Sequence, residues 1–167
     1  MELYLVRHGD AGRGLPGARA DAARELTPEG RKASRGTAKA LRALGCRPDL
    51  IITSPLPRAL QTAGIIAAAL GPGKVKKSSL LAPGSAPAAF FRWLSGAGAD
   101  VVLAAGHMPH LGALAAAAIG PGGAELEFRK SGVCLISFDG SPGAGRGKLQ
   151  WLLQPGQLKA LKKAWKK

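Results

Sequence analysis

Cysteine and aromatic residues are scarce in this chain, and each scarcity limits what the protein can be. Only two of its 167 residues are cysteines, Cys46 and Cys134, so a disulfide framework is excluded and each thiol is expected to pack as a small hydrophobic group. A reducing, cytoplasmic setting is the default expectation. Aromatic residues make up 5% of the chain, so the core must consist mainly of Leu, Ile, Val and Ala.

Long hydrophobic runs are also missing. The first apolar run, residues 3–6, follows no basic segment and is too short for a signal peptide. The run at 111–119 is rich in alanine and too short to cross a bilayer, so we expect no membrane span. The chain length and the 46% hydrophobic content favour a single globular domain over residues 1–167.

Acidic residues are also few. The chain has 24 Lys and Arg against 10 Asp and Glu, which gives a formal net charge of +14. A field of that sign attracts phosphates, acidic proteins, nucleic acids or anionic lipids without selecting among them. Because no recognised nucleic-acid module or interleaved aromatic pattern accompanies the charge, we do not expect nucleic acid to be the partner.

The basic C-terminal segment predicts a helix at about 156–166. Leu158, Leu161 and Trp165 recur there at helical spacing, with lysines between them. Two interpretations stay open. The helix could dock by its apolar stripe with its lysines in water, or it could be a docking face for an acidic protein, a membrane or nucleic acid.

Segments typical of strands and helices alternate along the rest of the chain. We predict strands at 3–6, 49–53, 74–79, 100–105, 125–128, 133–138 and 148–153. We predict helices at 27–44, from 55 or 57 to 70, at 86–94, 109–119 and 158–165, and a loop at 9–25. The alternation indicates an α/β fold: one three-layer α/β/α domain, mostly parallel in its sheet, with helices on both faces. The glycine-rich turn 139–147 could add an antiparallel edge strand.

Charged residues follow three of the predicted strands at the point where each strand ends. Arg7 and His8 follow the first strand, Arg58 lies in the first turn of the helix after the second, and His107 follows the strand at 100–105. The carboxyl ends of parallel strands meet at one edge of an α/β sheet, where ligands bind. We therefore expect two arginines and two histidines to meet in one site.

These residue types suit phosphoryl transfer without a metal. A neutral imidazole can attack phosphorus and form a covalent intermediate. The planar fork of arginine matches phosphoryl oxygens and stays charged. A second histidine can supply positive charge or a hydrogen bond as the transition state develops. Gly9 would let the backbone approach the phosphate closely.

Longer motifs surround these residues in a consistent order. The chain contains LYLVRHGDA (3–11), LTPEG (26–30), ITSPLPRALQTA (52–63) and AAGHMPHL (104–111), with weaker support from LLAPG (80–84), FRKSGVCLISFD (128–139) and WLLQPGQL (151–158). With these motifs it resembles the histidine phosphatase (phosphoglycerate-mutase-like) superfamily, and most of all its short SixA-like phosphohistidine phosphatase branch. The resemblance spans nearly the whole chain.

The resemblance implies a role for each site residue. His8 would be the phosphorylated nucleophile, Arg7 and Arg58 the phosphate clamps, and His107 the second pocket histidine. The implied reaction is hydrolysis through a phospho-His8 intermediate, with no metal or organic cofactor. The implied substrate is a phosphorylated protein, in the manner of signal transduction.

One absence bears on the substrate. Superfamily members that cleave phosphate esters usually place an acid after the segment matching 52–63, but no Asp or Glu lies between Asp49 and Asp100. An alkoxide needs such an acid in order to leave, whereas imidazole leaves phosphorus more readily. The gap favours a phosphohistidine substrate. A carboxylate from a loop, such as Glu25 or Glu125, keeps open a phosphomonoesterase for a small metabolite.

Other assignments stay open. Asp10 could be that acid, could orient Arg7 or His8, or could simply begin the loop. The loop arginines Arg13, Arg19 and Arg24 could contact phosphate or stay in water. A metal site made from His8, Asp10, His107 and His110 is disfavoured because two arginines would repel the cation; His110 fits better as a satisfied structural histidine. A non-catalytic basic binding module is the last alternative.

Overall fold

A single sheet organises the molecule. The computed structural model describes residues 1–14, 16–71, 74–120 and 124–164. The strands are β1 (Glu2–Arg7), β2 (Leu50–Thr53), β3 (Lys74–Lys77), β4 (Val101–Gly106), β5 (Val133–Ser137) and β6 (Lys148–Leu153). Their order across the sheet is β3-β2-β4-β1-β5-β6, so β1 lies inside the sheet between β4 and β5.

The direction of the strands follows the prediction. β1 pairs in parallel with β4, β4 with β2, and β2 with β3. β5 pairs antiparallel with both β1 and β6, so among the described strands β5 alone runs against the others. A mostly parallel sheet with an antiparallel hairpin at its edge is therefore confirmed.

Helices cover both faces of the sheet. They are α1 (Ala18–Ala22), α2 (Pro28–Ala43), α3 (Pro57–Leu70), α4 (Pro87–Ser95), α5 (His110–Ile119) and α6 (Pro155–Ala164), with a short 3₁₀ helix at Ser79–Leu81. Side chains alternate between faces along a strand. Leu3 and Leu5 of β1 pack with α4 and α5, whereas Tyr4 and Val6 pack with α2, α3 and α6. The predicted three-layer arrangement is confirmed.

A proline marks where each of α2 and α3 begins. Thr27 accepts a hydrogen bond from the Gly30 N–H at 3.0 Å, and Pro28 occupies the first helical position. Pro57 takes the first position of α3 without a side-chain cap, so the second of the two candidate prolines starts this helix. The Thr27 N–H also donates to the Asp10 carbonyl at 2.9 Å. The start of α2 therefore lies against the segment that leaves β1.

The predicted strand at 125–128 is wrong, since residues 124–129 carry no regular secondary structure. Side chains satisfy this backbone in place of a neighbouring strand. Gln154 Nε2 donates to the Glu127 carbonyl at 2.8 Å, and Arg7 Nη1 donates to the Phe128 carbonyl at 2.6 Å. Phe128 is fully buried, so the apolar alternation here reflects core packing without strand pairing.

The predicted loop at 9–25 contains the short helix α1. No residue of α1 is buried, so there was no apolar periodicity to reveal it. The C-terminal helix starts at Pro155, earlier than expected, and is described to Ala164. Trp165 and the predicted helix end at 166 lie outside the described residues.

None of the helices in the described part of the chain is both long enough and apolar enough to cross a membrane.

Candidate active site

The ends of β1, β2 and β4 lie side by side at one edge of the sheet. Arg7 is in register with Gly106, and Thr53 is in register with Ala105. Strand pairing therefore brings the residues that follow β1 and β4 together. The rings of His8 and His107 lie with their centroids 4.9 Å apart.

His8 is held in one orientation and one tautomer. Its Nδ1 lies 2.6 Å from the Gly9 carbonyl oxygen, which can only accept, so Nδ1 carries the hydrogen and Nε2 keeps its lone pair. Burial lowers the pKa of His8 to about 4, and the positive charges of Arg58, Arg7 and Arg24 act in the same direction. At neutral pH the ring therefore carries an unprotonated Nε2, the form that a nucleophile needs.

His107 is also neutral at working pH. Burial lowers its pKa to about 3, with smaller contributions from His8 and Arg58. Its Nε2 lies 2.8 Å from Ser54 Oγ, and its Nδ1 is buried without a hydrogen-bond partner among the described residues. Of the two roles that the sequence leaves open, a hydrogen bond fits this environment better than a positive charge.

Arg7 and Arg58 come to the site from different elements. Arg7 ends β1 and anchors one side of its guanidinium group on the Phe128 carbonyl. Arg58, in the first turn of α3, is 5% exposed and donates from Nη1 to the Asp21 carbonyl at 2.9 Å. Burial lowers the pKa of both guanidinium groups, but arginine stays protonated in proteins, so both keep their charge.

Three nitrogen atoms of the site are buried without a hydrogen-bond partner in the described part of the chain. They are Nε of Arg7, Nε of Arg58 and Nδ1 of His107. A buried donor left unpaired costs about 1–3 kcal/mol, so folded proteins rarely leave several together. All three belong to residues close to His8, since the charges of Arg7 and Arg58 lower its pKa and the His107 ring lies 4.9 Å from its ring.

Gly9 has a packing requirement that the sequence did not indicate. A Cβ atom at this position would lie 2.7 Å from Ser34 Oγ and 2.8 Å from the Gly30 carbonyl oxygen. The Gly9 N–H donates to Thr62 Oγ1 at 3.0 Å, while its carbonyl accepts from His8. Both backbone groups are engaged, so these contacts favour a role for Gly9 in holding His8 over direct phosphate binding.

Asp10 makes its contacts with the loop and with α2. One carboxylate oxygen accepts from Lys130 Nζ, and the other accepts from Thr27 Oγ1 at 3.1 Å. The hydrogen bond from Lys130 lowers the pKa of Asp10, which makes it a poor proton donor. Among the described residues, the Asp10 side chain makes no hydrogen bond or ion pair with Arg7 or His8. The geometry therefore favours the third alternative, in which Asp10 begins the loop, and it ties that loop to α2.

Sequence reasoning missed Asp21, which lies beside Arg58. Its Oδ2 is 3.6 Å from Arg58 Nη2, and its Oδ1 accepts from Arg24 Nε at 2.9 Å. Of the three loop arginines, Arg24 thus joins the site, whereas Arg13 and Arg19 are exposed. The Asp21–Arg24 spacing is a local helix signal, but nothing in the sequence indicates the contact with Arg58, 37 positions away.

His110 differs from the satisfied structural histidine that the sequence suggested. Its side chain is 5% exposed, and burial lowers its pKa. Neither ring nitrogen has a hydrogen-bond partner within the described ranges. The residue is buried as expected, but without the expected hydrogen bonds.

Cavity size alone does not locate this site. A cavity of about 510 Å³ lies between α2 and α6, and another of about 560 Å³ adjoins Arg129 and Gln154. Neither is lined by His8, Arg58 or His107. A phosphoryl group is small, so the buried donors are a better guide here than volume.

Comparison with known proteins defines the class. The profile of the histidine phosphatase superfamily (branch 1) matches residues 3–82, the part that contains Arg7, His8 and Arg58. An uncharacterised protein of Picosynechococcus sp. is 42% identical over 139 residues, which is 80% of this chain and 82% of that protein. The chain belongs to the histidine phosphatase superfamily, and this membership supports phosphatase activity.

Within that class the likeness is to SixA. The structure of the protein histidine phosphatase SixA complexed with tungstate matches with a TM-score of 0.83 and 28% identity, covering 95% of this chain and 99% of that one. This places the chain in the SixA-like branch. The alpha-ribazole phosphatase from Shigella flexneri, at 17% identity and a TM-score of 0.74 over 93% of this chain and 97% of that one, shares the fold alone.

Proposed function

We propose that this protein is a phosphohistidine phosphatase that acts on a phosphorylated protein through a phospho-His8 intermediate. The observation that carries the proposal is the group of buried, unpartnered nitrogens of Arg7, Arg58 and His107 around a neutral His8. Their donors match the acceptor oxygens of a phosphoryl group. In the SixA structure the bound molecule is tungstate, which is also a tetrahedral oxyanion.

The reaction needs two displacements at phosphorus. In the first, the lone pair of His8 Nε2 forms a P–N bond as the substrate P–N bond breaks, and the leaving imidazole keeps the electron pair. In the second, water forms a P–O bond as the bond between phosphorus and His8 Nε2 breaks. Dihydrogen phosphate leaves with both protons of the water, and His8 Nε2 recovers its lone pair. Arg7, Arg58 and His107 would stabilise the charge on the phosphoryl oxygens in both steps. Neither step calls on a metal, and two guanidinium groups are unfavourable neighbours for a cation.

The nature of the leaving group supports phosphohistidine. Asp10 is held by Lys130, and this hydrogen bond lowers its pKa. The contact disfavours Asp10 as a proton donor to an alkoxide. Imidazole leaves as a neutral group when its other nitrogen carries a proton, so it can leave without such a donor.

We also propose a cytoplasmic location and an anionic partner protein. The two cysteines are free and buried, as a reducing compartment allows. The net charge of +14 would attract an acidic phosphoprotein.

The test is phosphate release from a protein that carries phosphohistidine, measured for the wild type and for His8→Ala. We expect rapid release by the wild type and a loss of about 10⁴-fold or more in the variant, because the nucleophile is gone. Labelled phosphate from the substrate should become attached to the wild-type protein as an acid-labile group. Full activity in His8→Ala would contradict the proposal. If the wild type binds the phosphoprotein but releases no phosphate, the protein would instead be a non-catalytic basic binding module.

A second candidate is a phosphomonoesterase for a small metabolite, with Asp21 as the acid. The observation in its favour is the position of this carboxylate at Arg58, 3.6 Å from Nη2. Release of phosphate from a simple ester, with a bell-shaped pH profile that Asp21→Asn abolishes, would favour it. The second candidate would be excluded if phosphate is released only from phosphohistidine and Asp21→Asn leaves the pH profile of that reaction unchanged.

A further inference from the structure

Ser54 is placed beside His107 by the pairing of their strands. It follows β2 directly, is fully buried, and its N–H donates to the Ala105 carbonyl at 3.0 Å, which extends the pairing of β2 with β4 by one residue. His107 follows β4 at the same edge. Two adjacent strands of the sheet thus fix the distance between the hydroxyl and the ring.

The hydrogen bonds of the Ser54 hydroxyl determine where its own hydrogen goes. Oγ accepts from the Leu56 N–H at 3.3 Å and lies 2.8 Å from His107 Nε2. A backbone N–H can only donate, so the hydroxyl hydrogen remains free to be donated. His107 Nε2 is an acceptor within reach of that hydrogen.

Counting hydrogens favours one tautomer of His107. With the hydrogen on Nε2, the Ser54 hydroxyl would accept from both His107 and the Leu56 N–H, and neither of them could accept the hydroxyl hydrogen. The lone pair of Nδ1 would then be buried without a donor among the described residues. With the hydrogen on Nδ1, the hydroxyl and Nε2 satisfy each other. The remaining Nδ1–H then has no partner among the described residues until an anion binds, and buried polar groups are seldom left unpaired.

We propose that Ser54 is a positioning residue, which donates to Nε2 of His107 and so holds Nδ1–H ready to donate to the phosphoryl group. The inference rests on the proposed function, because it gives His107 its task there. Ser54 need not touch the substrate. It acts through His107, in the way that a neighbouring acceptor fixes the tautomer of other functional histidines.

The neutral state of His107 makes the choice of tautomer meaningful. Burial is the main cause of the lowered pKa of His107, and the nearby His8, Arg58, His110 and Arg7 lower it further. A protonated ring would carry hydrogen on both nitrogens and would need no serine. A neutral ring carries one hydrogen, and its position decides whether the site has a donor or a repelling lone pair.

The first measurement is the tautomer itself, by ¹⁵N NMR of the histidine rings in the folded wild type at pH 7. We expect the Nδ1 of His107 to be protonated and its Nε2 to show the shift of a nitrogen that accepts a hydrogen bond. Protonation at Nε2 would overturn the proposal. This result does not depend on any substrate, so it stands apart from the test of the proposed function.

The second measurement compares Ser54→Ala with Ser95→Ala, since Ser95 is a serine at the end of α4 whose hydroxyl also donates, here to the Arg92 carbonyl at 2.9 Å. We expect Ser54→Ala to mix the His107 tautomers and to lower kcat on a phosphohistidine peptide on the order of tenfold, with KM changed by less than about twofold. Ser95→Ala should change neither tautomer nor kcat. An unchanged tautomer and kcat in Ser54→Ala would overturn the inference.

A graded variant covers the case in which Ser54→Ala is poorly folded. Ser54→Cys keeps a group that bears a hydrogen at this position but supplies a weaker donor. We expect a tautomer population and a kcat between those of wild type and Ser54→Ala. A normal kcat with a mixed tautomer would also overturn the proposal, because the tautomer would then not matter. If the wild type does not hydrolyse phosphohistidine, that result would instead contradict the proposed function.

Discussion

At the scale of single residues, the site depends on histidines that stay neutral. His8 and His107 are 6% and 3% exposed, with pKa values lowered to about 4 and about 3. A neutral His8 has a lone pair to use, and a neutral His107 does not add positive charge next to Arg7 and Arg58. Burial at the strand ends therefore sets the chemical state of both rings.

The same burial predicts how stability depends on pH. Between about pH 6.5 and about 4 the unfolded chain protonates His8 whereas the folded state does not, so the unfolded state binds more protons and stability falls as pH falls. Each such histidine lowers the free energy of unfolding by up to about 1.4 kcal/mol for every pH unit of this fall. Urea unfolding of the wild type and His8→Gln at pH 7 and pH 5 should show a smaller loss in the variant. An equal loss would show that His8 titrates normally in the folded protein.

A second prediction concerns Gly9. The Cβ of Gly9→Ala would meet Ser34 Oγ and the Gly30 carbonyl, so we expect a loss of about 1–3 kcal/mol in the free energy of unfolding, together with lower kcat because His8 moves. Gly36→Ala on α2 is the matched control, because a Cβ there has nothing within 4 Å. That control should be stabilised by about 0.5–1 kcal/mol. Equal effects of the two substitutions in chemical denaturation would contradict the packing argument.

That the residues of the candidate site lie close together could be predicted, because each follows a strand that the sequence identifies. Arg7, His8, Arg58 and His107 needed only the rule that parallel strands end at one edge. The contacts of Asp21 and Ser54 could not be predicted in this way. Asp21 lies in a segment without buried residues, and the part played by Ser54 depends on a hydrogen bond across two strands.

At the scale of elements, α1 is held at the site by polar contacts. None of its residues is buried, whereas Asp21 joins Arg24 and Arg58. Removing the charge of Asp21 should loosen α1 and leave Arg58 less well placed. For Asp21→Asn we expect faster amide hydrogen exchange over 18–24 and a fall of about three- to tenfold in kcat/KM, as for the loss of a partly exposed charged hydrogen bond.

A matched control for this prediction is Asp139→Asn. It makes the same chemical change and removes another ion pair, that of Asp139 with Lys148 in the hairpin between β5 and β6. Exchange over 18–24 and kcat/KM should then stay at the wild-type values. Loss of activity in both variants would point to a general effect of charge and away from α1.

The segment at 125–128 shows where element prediction fails. Its alternation of polar and apolar residues is typical of a strand, and Phe128 is buried as a strand residue would be. Periodicity reports which side chains are buried, and it does not report what bonds the backbone. Here the partners are the side chains of Gln154 and Arg7, which no local pattern reveals.

At the scale of the whole molecule, the net charge of +14 should act on association. Long-range attraction raises the rate at which an anionic protein substrate arrives, and salt screens it. We expect kcat/KM for an acidic phosphohistidine protein to fall about tenfold or more between 0.02 and 0.5 M salt. For a small phosphohistidine peptide of neutral net charge the fall should be much smaller. Equal salt dependence for both substrates would show that the charge serves another purpose.

The place of β1 in the sheet has a consequence for how such a site can change over time. β1 is buried on both faces and paired on both sides, so the strand that leads into His8 belongs to the part of the molecule that opens last. α1 has no fully buried residue and is held by polar contacts, so we expect it to open at a lower energetic cost. A mutation in α1 should therefore spare folding while it acts on Arg58 through Asp21, whereas a mutation in β1 risks the whole protein. We expect changes in substrate preference to arise first in the segment around α1, with His8 left in place.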